Sequence, residues 1–133
     1  MTVVWTNGCF DVLHFGHFEF LRRCRELGDR LVVGLNSDES VRRLKGPMRP
    51  IHNEIQRFNQ LLGIRYVDQV VMFSEDTPCR AIGEIRPQII VKGPGYGRSN
   101  MPEALTAQNI GARIVILDGP DLSTTKILER LAK

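Results

Sequence analysis

The chain has 133 residues and a net charge of +3, with a pI of about 9.0, and this length predicts a single domain, 1–133. Its charge fits an anionic small-molecule ligand, and without a dense Lys/Arg run we expect no nucleic-acid partner. No apolar stretch reaches the roughly 18 residues of a membrane span, and no signal-peptide pattern opens the chain. Its three cysteines, Cys9, Cys24 and Cys79, form no C-x-x-C pair, so we expect a reducing cytoplasm and no membrane partner.

Strand-like apolar runs alternate with helical patterns along the chain. Strands are predicted at residues 2–5, 30–35, 69–73, 88–92 and 112–117. Helices are predicted at residues 15–27, 37–44, 54–64, 77–85, 103–109 and 123–131. We expect Gly28 to end the first helix, and Thr77 with Pro78 to open the fourth. This alternation predicts an α/β fold: a Rossmann-like doubly wound sandwich in which a five-stranded parallel sheet has helices on both faces.

The segment "TNGCFDVLHFGH", residues 6–17, holds the strongest candidate site because it joins the first predicted strand to a helix. Gly8 is expected to allow a sharp turn there, and the free N–H groups of the helix start form a natural phosphate cradle. His14 and His17 lie about one helical turn apart, with Gly16 leaving space between them. Both imidazoles can donate hydrogen bonds to one anion, more strongly when protonated. The pattern favours phosphoryl or nucleotidyl transfer.

Simpler interpretations of these residues stand beside the functional one. An H-x-x-H pair is often two incidental surface histidines, and a zinc pair lacks a third Cys or His nearby in the sequence. Neither a G-x-x-x-x-G-K-[ST] loop nor a G-x-G-x-x-G loop occurs. Lys45 and Arg49, in the Gly/Pro segment "KGPMRP", are either cations that close over a ligand or a solvated loop. The "STT" run at 123–125 either holds phosphate or only caps a helix.

The residues "GCFDVLHFGH" resemble the signature of the HxGH nucleotidyltransferases, the cytidylyltransferase-like superfamily. Within it, the ordered segments "LGDRLVVGLNSDESVRRLKG", "YVDQVVMFSEDTP", "IRPQIIVKG" and "STTKI" are similar to the adenylyltransferase domain of ADP-heptose synthases. This resemblance covers essentially the whole chain. It implies transfer of AMP from ATP to heptose 1-phosphate, with pyrophosphate as the other product, Mg²⁺ as cofactor and a homodimer.

The resemblance also assigns roles to residues. It implies that His14, His17 and Lys45 are catalytic, the histidines binding the triphosphate and Lys45 closing over it. Asp11 would organise the turn and is a candidate metal ligand, while Arg49 and Tyr96 would meet phosphate or the acceptor. The implied nucleotide-binding residues are Thr6, Asn7, Gly8, Cys9, Phe10, Asp11, Gly16, Lys92, Gly93, Ser123, Thr124 and Thr125.

One segment departs from the family pattern. Where the family usually reads V-K-G-G-D-Y, this chain reads "VKGPGY", so Pro94 and Gly95 replace a glycine and an aspartate. The identity of the acceptor therefore stays open. One alternative is a CTP-dependent cytidylyltransferase for glycerol 3-phosphate, although the arginine-rich segment that precedes "STT" in those enzymes reads "DGPDL" here. Another alternative is a nucleotide-binding module without turnover.

Overall fold

The computed structural model describes residues 1–93 and 101–117. Several predicted features lie outside the described residues: the helix at 123–131, Pro94, Gly95, Tyr96, Ser123, Thr124 and Thr125.

The described residues form five strands and five helices, with one helix between successive strands except for two, α2 and α3, between β2 and β3. The strands are β1 (Val3–Gly8), β2 (Arg30–Asn36), β3 (Gln69–Phe73), β4 (Ile89–Lys92) and β5 (Arg113–Ile116). The helices are α1 (Phe15–Arg25), α2 (Asp38–Lys45), α3 (Glu54–Leu62), α4 (Cys79–Ile85) and α5 (Glu103–Ile110). All strand pairs are parallel, in the order β3-β2-β1-β4-β5. The predicted Rossmann-like α/β fold is confirmed.

Each face of the sheet buries its own apolar cluster. Val4 of β1 belongs to a cluster with residues of α1 and α3, while the adjacent Trp5 belongs to a second cluster with residues of α4 and α5. Both residues are fully buried. Successive side chains of a strand point to opposite faces, so a strand covered on both sides must be apolar throughout. The helices therefore pack on both faces, as the continuous apolar runs predicted.

Some predicted boundaries are wrong, and the local packing explains why. Helix α1 ends at Arg25 with Glu26 as its C-cap, not at Gly28. A Cβ at Gly28 would lie 2.7 Å from the Val4 side chain, so this glycine permits a close approach of backbone to β1. Helix α4 begins at Cys79 after Pro78, without a side-chain cap from Thr77. No described helix has the length and apolarity required to cross a membrane.

The order of the strands places a crevice beside β1. The chain fills β2 and β3 on one side of β1 and then crosses to β4 and β5 on the other side. Strand β1 pairs with β2 as far as Gly8↔Leu35, but with β4 only as far as Trp5↔Ile90. The carboxyl ends of β1 and β4 are therefore not joined by ladder hydrogen bonds. In open α/β sheets, ligands bind at such a topological switch point.

Candidate active site

The turn that leaves β1 is built by residues other than the predicted glycine. Gly8 is the last residue of the strand, and the left-handed conformations belong to Phe10 (φ 47°) and Val12 (φ 53°). A positive φ is rare for a β-branched residue and costs on the order of 1–3 kcal/mol. A Cβ at Gly8 would lie 3.2 Å from the Phe10 ring, so the glycine gives room to that ring. The strained turn delivers the chain to the start of α1.

Both histidines of the motif cap helix α1. His14 is the N-cap, and its Nδ1 accepts a hydrogen bond from the Gly16 N–H (3.0 Å). His17 returns the contact, because its Nδ1 accepts from the His14 N–H (3.2 Å). The two imidazole centroids lie 4.0 Å apart. This reciprocal arrangement is a capping box made from two imidazoles, and it holds both rings side by side.

The caps fix which ring nitrogen faces a ligand. A nitrogen that accepts a hydrogen bond carries no proton, so each neutral imidazole bears its proton on Nε2. Nε2 of His14 is buried and has no hydrogen-bond partner among the described residues. A buried donor without an acceptor is costly, on the order of 1–3 kcal/mol. The arrangement therefore presents an oriented donor for an incoming acceptor atom.

The predicted cradle of free backbone N–H groups is largely occupied in the first turn of α1. The Gly16 N–H is used by His14 Nδ1, and the His17 and Phe18 N–H groups donate to the His14 carbonyl (3.0 and 3.2 Å). These three groups are already satisfied within the helix start. The imidazole N–H groups, and not these three backbone groups, are therefore the donors that the two histidines offer to an anion.

The stronger donation expected of a protonated imidazole does not apply to His17 near neutral pH. Burial lowers the pKa of His17 to about 4, and the nearby His14 and the positive charge of Lys45 act in the same direction. His17 is therefore neutral near pH 7, which agrees with its Nδ1 acting as an acceptor. The ring helps to bind an anion as a dipolar donor and not as a cation.

Asp11, which the resemblance assigned to the turn after β1, makes its contacts with the loop before α3. Its buried carboxylate accepts hydrogen bonds from the N–H groups of Ile51 (2.7 Å) and His52 (2.9 Å), and from Arg49 Nε (3.3 Å). Burial alone raises the pKa of Asp11, but the two backbone bonds and Arg49 outweigh it and hold that pKa below its usual value. Protein donors occupy both carboxylate oxygens. Arg49 correspondingly faces Asp11, and its predicted contact with phosphate or acceptor stays a prediction.

The described residues do not form a metal cage. No group of three or more His, Cys, Asp and Glu side chains capable of holding an ion occurs among residues 1–93 and 101–117. The engagement of Asp11 by three protein donors does not fit a role as a Mg²⁺ ligand. Mg²⁺ is commonly carried to such sites by substrate phosphates, which needs no ligand from this chain.

Arg57, on helix α3, joins the site segments and was assigned no role from the sequence. Its side chain is fully buried. It donates to the carbonyl groups of Cys9 (2.8 Å), Asn36 (2.7 Å) and His52 (2.9 Å), and forms an ion pair with Asp38 (2.8 Å). One guanidinium thus binds the loops after β1 and β2 to the start of α3.

Lys45 lies near the histidines. The prediction that it belongs to a loop is wrong. It is the last residue of α2 and is exposed, with no ion pair to any described residue. Its charge lowers the pKa values of His17 and Cys9, which places the ammonium within electrostatic reach of both. Burial nevertheless raises the pKa of Cys9 above its usual value. Lys45 is therefore an available cation, whereas Cys9 contributes no thiolate near neutral pH.

The predicted nucleotide-binding residues of β1 and β4 lie at the crevice, but Thr6, Asn7 and Lys92 have internal partners. The Thr6 hydroxyl is buried and donates to the Val91 carbonyl (3.0 Å), so it bridges the two strands. Lys92 is buried and donates to Glu103 (2.7 Å) and to Asn7 Oδ1 (3.2 Å). Gly93 follows Lys92 directly. A Cβ at this position would make only an ordinary van der Waals contact with the Phe20 ring, at 3.8 Å.

The capped imidazoles, the nearby Lys45 and the crevice fit the site expected of an HxGH nucleotidyltransferase. The cytidylyltransferase-like family matches residues 5–130, and the chain belongs to this family. The bifunctional protein HldE of Syntrophotalea carbinolica is 48% identical over 131 residues, which cover 98% of this chain and 27% of that protein. HldE of Campylobacter jejuni strain RM1221 is 45% identical over 130 residues, which cover 97% of this chain and 27% of that protein. The chain thus spans about a quarter of these relatives.

Solved structures show the same architecture. A lipopolysaccharide core biosynthesis protein from Thermoplasma volcanium superimposes with a TM-score of 0.72 at 29% identity, covering 92% of this chain and 99% of that one. A protein of unknown function from Archaeoglobus fulgidus gives a TM-score of 0.62 at 20% identity, covering 93% of each chain. The second likeness shows the fold alone.

Proposed function

We propose that this nucleotidyltransferase transfers AMP from ATP to a heptose 1-phosphate, releasing pyrophosphate and forming an ADP-heptose. The family match, the identity of 48% and 45% to two HldE proteins, and the segments similar to ADP-heptose synthases support this donor and acceptor. The similar structure from Thermoplasma volcanium is that of a lipopolysaccharide core biosynthesis protein, which is in line with a sugar-nucleotide product. The replacement of the family aspartate by Gly95 makes the acceptor the part of the proposal that most needs a test.

The single observation that carries the proposal is the buried Nε2 donor of His14, which has no partner among residues 1–93 and 101–117. A donor that is oriented in advance and shielded from water stabilises charge that develops in a transition state, because no reorganisation is needed during the reaction. Negative charge builds on the oxygens of the α-phosphate when an acceptor phosphate attacks it. His14 and His17 would donate to those oxygens, and Lys45 would supply positive charge beside them.

Mg²⁺ held by the nucleotide's own phosphates would supply neutralisation of the triphosphate charge and of the departing pyrophosphate. The chain itself aligns the two substrates at the crevice between β1 and β4. The attacking phosphate oxygen displaces pyrophosphate in line at the α-phosphorus, so one P–O bond forms as another breaks. Catalysis would come from alignment and electrostatic stabilisation.

The proposal is tested by measuring pyrophosphate release with ATP and CTP separately, each against heptose 1-phosphate and glycerol 3-phosphate. We expect turnover with ATP and the heptose phosphate. His14→Asn is the informative variant, since the Asn side-chain oxygen still caps α1, while its NH₂ group is bonded directly to Cγ and falls short of the position of Nε2–H at the far side of the ring. Its kcat should fall by roughly 10²–10³-fold, as when one oxyanion donor is removed, with an unchanged circular dichroism spectrum.

Other outcomes separate the alternatives. Turnover confined to CTP and glycerol 3-phosphate would replace the donor and acceptor while keeping the histidine mechanism. Nucleotide binding without turnover of any acceptor would favour a binding module. A normal kcat for His14→Asn would contradict the role given to Nε2.

We further propose that the domain acts in the cytoplasm as a homodimer, as the resemblance implies. Exposed apolar side chains on α1 and α3 support self-association: Phe15 is 76%, Ile55 63% and Leu62 47% exposed. A cavity of about 370 Å³, lined in part by Phe18 and Asn59, lies between the same two helices. Sedimentation of the wild type and of Ile55→Lys would test this, because a charge among apolar side chains of a dimer interface should favour the monomer.

A further inference from the structure

We infer that the Asn7 carboxamide is a substrate-recognition donor, and that Trp5 and the buried Lys92–Glu103 ion pair hold it in its binding orientation. The inference rests on the proposed function, since it names a contact to the nucleotide substrate of that reaction. The resemblance implied that both Asn7 and Lys92 bind the nucleotide. The inference distinguishes them: the Asn7 amide donates to the nucleotide, and Lys92 acts only by orienting that amide.

Asn7 lies where the crevice opens. Ladder pairing between β1 and β4 stops at Trp5↔Ile90, and beyond that point only side chains connect the two strands. Thr6 bridges the gap through its bond to the Val91 carbonyl (3.0 Å), and Asn7 bridges it next through Lys92 (3.2 Å). Asn7 is half-buried, unlike the fully packed Trp5. Its side chain therefore borders the ligand-binding edge of the sheet.

Two donors fix the orientation of the Asn7 amide. Trp5 Nε1 (3.1 Å) and Lys92 Nζ (3.2 Å) both donate to Oδ1. Neither an indole N–H nor an ammonium can accept a hydrogen bond, so a flipped amide would place NH₂ against two donors. Nδ2 must therefore point away from both groups. It donates no hydrogen bond within the described part of the chain, which leaves two N–H bonds for an acceptor atom of a ligand.

Lys92 is engaged within the protein. Its side chain is 6% exposed, and that of its partner Glu103 is 5% exposed, with 2.7 Å between Nζ and Oε1. The carboxylate neutralises the ammonium before any phosphate arrives. Replacing a buried ion pair by apolar residues of similar size is often neutral or stabilising, so its retention is weak evidence for a role in stability. Holding Oδ1 of Asn7 gives the pair a role in orientation.

Asn7→Asp and Asn7→Leu test the donor. Aspartate keeps the shape of asparagine and can accept from both Trp5 and Lys92, but it cannot donate; leucine removes the donor without adding charge. Calorimetric titration with MgATP, in the absence of acceptor, measures Kd for each protein. We expect both variants to raise Kd by at least tenfold, in line with the loss of one hydrogen bond to a charged or polar acceptor. In turnover, KM should rise more than kcat falls.

The double substitution Lys92→Met/Glu103→Leu tests the positioning role. It is made in two backgrounds, first in the wild-type protein and second in the Asn7→Leu variant. If Lys92 acts through Asn7, the double substitution weakens MgATP binding roughly tenfold in the first background and has no further effect in the second. Equal weakening in both backgrounds would show that Lys92 contacts the nucleotide itself, and would overturn the positioning role. Unchanged Kd in the first background would overturn it as well. The thermal unfolding midpoint of each variant shows whether a binding defect reflects lost folding.

The remaining outcomes are equally decisive. An Asn7→Leu protein that binds MgATP like the wild type overturns the donor assignment, even if Asn7→Asp binds poorly, because charge alone would then explain the aspartate. That result leaves the proposed function standing. A wild-type protein that binds neither MgATP nor MgCTP overturns the proposed function, and this assignment with it. The single tryptophan of the chain, bonded to Asn7, provides a second readout through its emission on binding.

Discussion

The neutral His17 predicts that the protein loses stability between pH 6.5 and pH 4. Its pKa is about 4 in the folded protein and 6.5 in an unfolded chain. Between these values His17 is protonated in the unfolded chain but neutral in the folded protein, so lowering the pH favours unfolding. Above pH 6.5 both states are neutral at this position, and the full contribution is present. Below pH 4 both are protonated, and the loss is complete.

The size of the effect follows from the shift. A displacement from 6.5 to about 4 corresponds to about 3 kcal/mol at about 1.36 kcal/mol per unit. Such a loss is a large part of the 5–15 kcal/mol by which domains of this kind are typically stable. Its cause is burial first, followed by His14 and Lys45.

Urea unfolding of the wild type and His17→Asn at pH 7.5, 6.5, 5.5 and 4.5 would measure it. The Asn oxygen can replace Nδ1 as the acceptor of the His14 N–H (3.2 Å in the wild type), while the titrating ring is absent. Subtracting the two curves removes the contributions of all other groups. We expect the wild type to lose about 2.5 kcal/mol relative to the variant across this range, because pH 4.5 lies just above the folded-state pKa of about 4. Parallel curves would refute the argument that His17 is neutral because it is buried.

Two further substitutions test the packing around the site. Arg57→Met leaves the carbonyls of Cys9 and Asn36 and the Asp38 carboxylate without their buried partner, so unfolding in urea should show a loss of about 3–5 kcal/mol; a loss below about 1 kcal/mol would contradict this role. Gly34→Ala would place Cβ 2.3 Å from the Trp5 ring, and overpacking should cost about 1–3 kcal/mol with altered tryptophan emission. Gly83→Ala in α4, where nothing lies within 4 Å, is the matched control and should be neutral or slightly stabilising.

The fold could be predicted because its signals are local and continuous. The apolar run around Val32 and Val33 is typical of a strand buried on both faces, and the structure places these residues in opposite core clusters. Parallel strands place their carboxyl ends at one edge. The sequence order of strands and loops was therefore sufficient to place the candidate site at the carboxyl edge of the sheet. The pairing of His14 with His17 followed from helical spacing alone.

The details that were missed depend on contacts distant in sequence. Arg57 lies in a polar stretch of α3 and resembles a solvated residue until Cys9, 48 positions away, supplies a carbonyl partner. Glu103 neutralises Lys92 across 11 positions, so sequence similarity alone left Lys92 as a candidate ligand. The turn signal pointed to Gly8 because glycine usually takes positive φ, whereas Phe10 and Val12 take it here.

The imidazole caps of α1 also limit the chemistry that the site can support. A histidine acts as a general base only through a ring nitrogen that carries no proton and is free to accept one. Here Nδ1 of His14 and of His17 is committed to a backbone N–H, so tautomer exchange would break the helix start. Neither ring can deprotonate an alcohol while the cap is in place. Acceptors are thereby restricted to nucleophiles that arrive already ionised, such as phosphate monoesters, and the helix cap itself acts as a filter on substrate class.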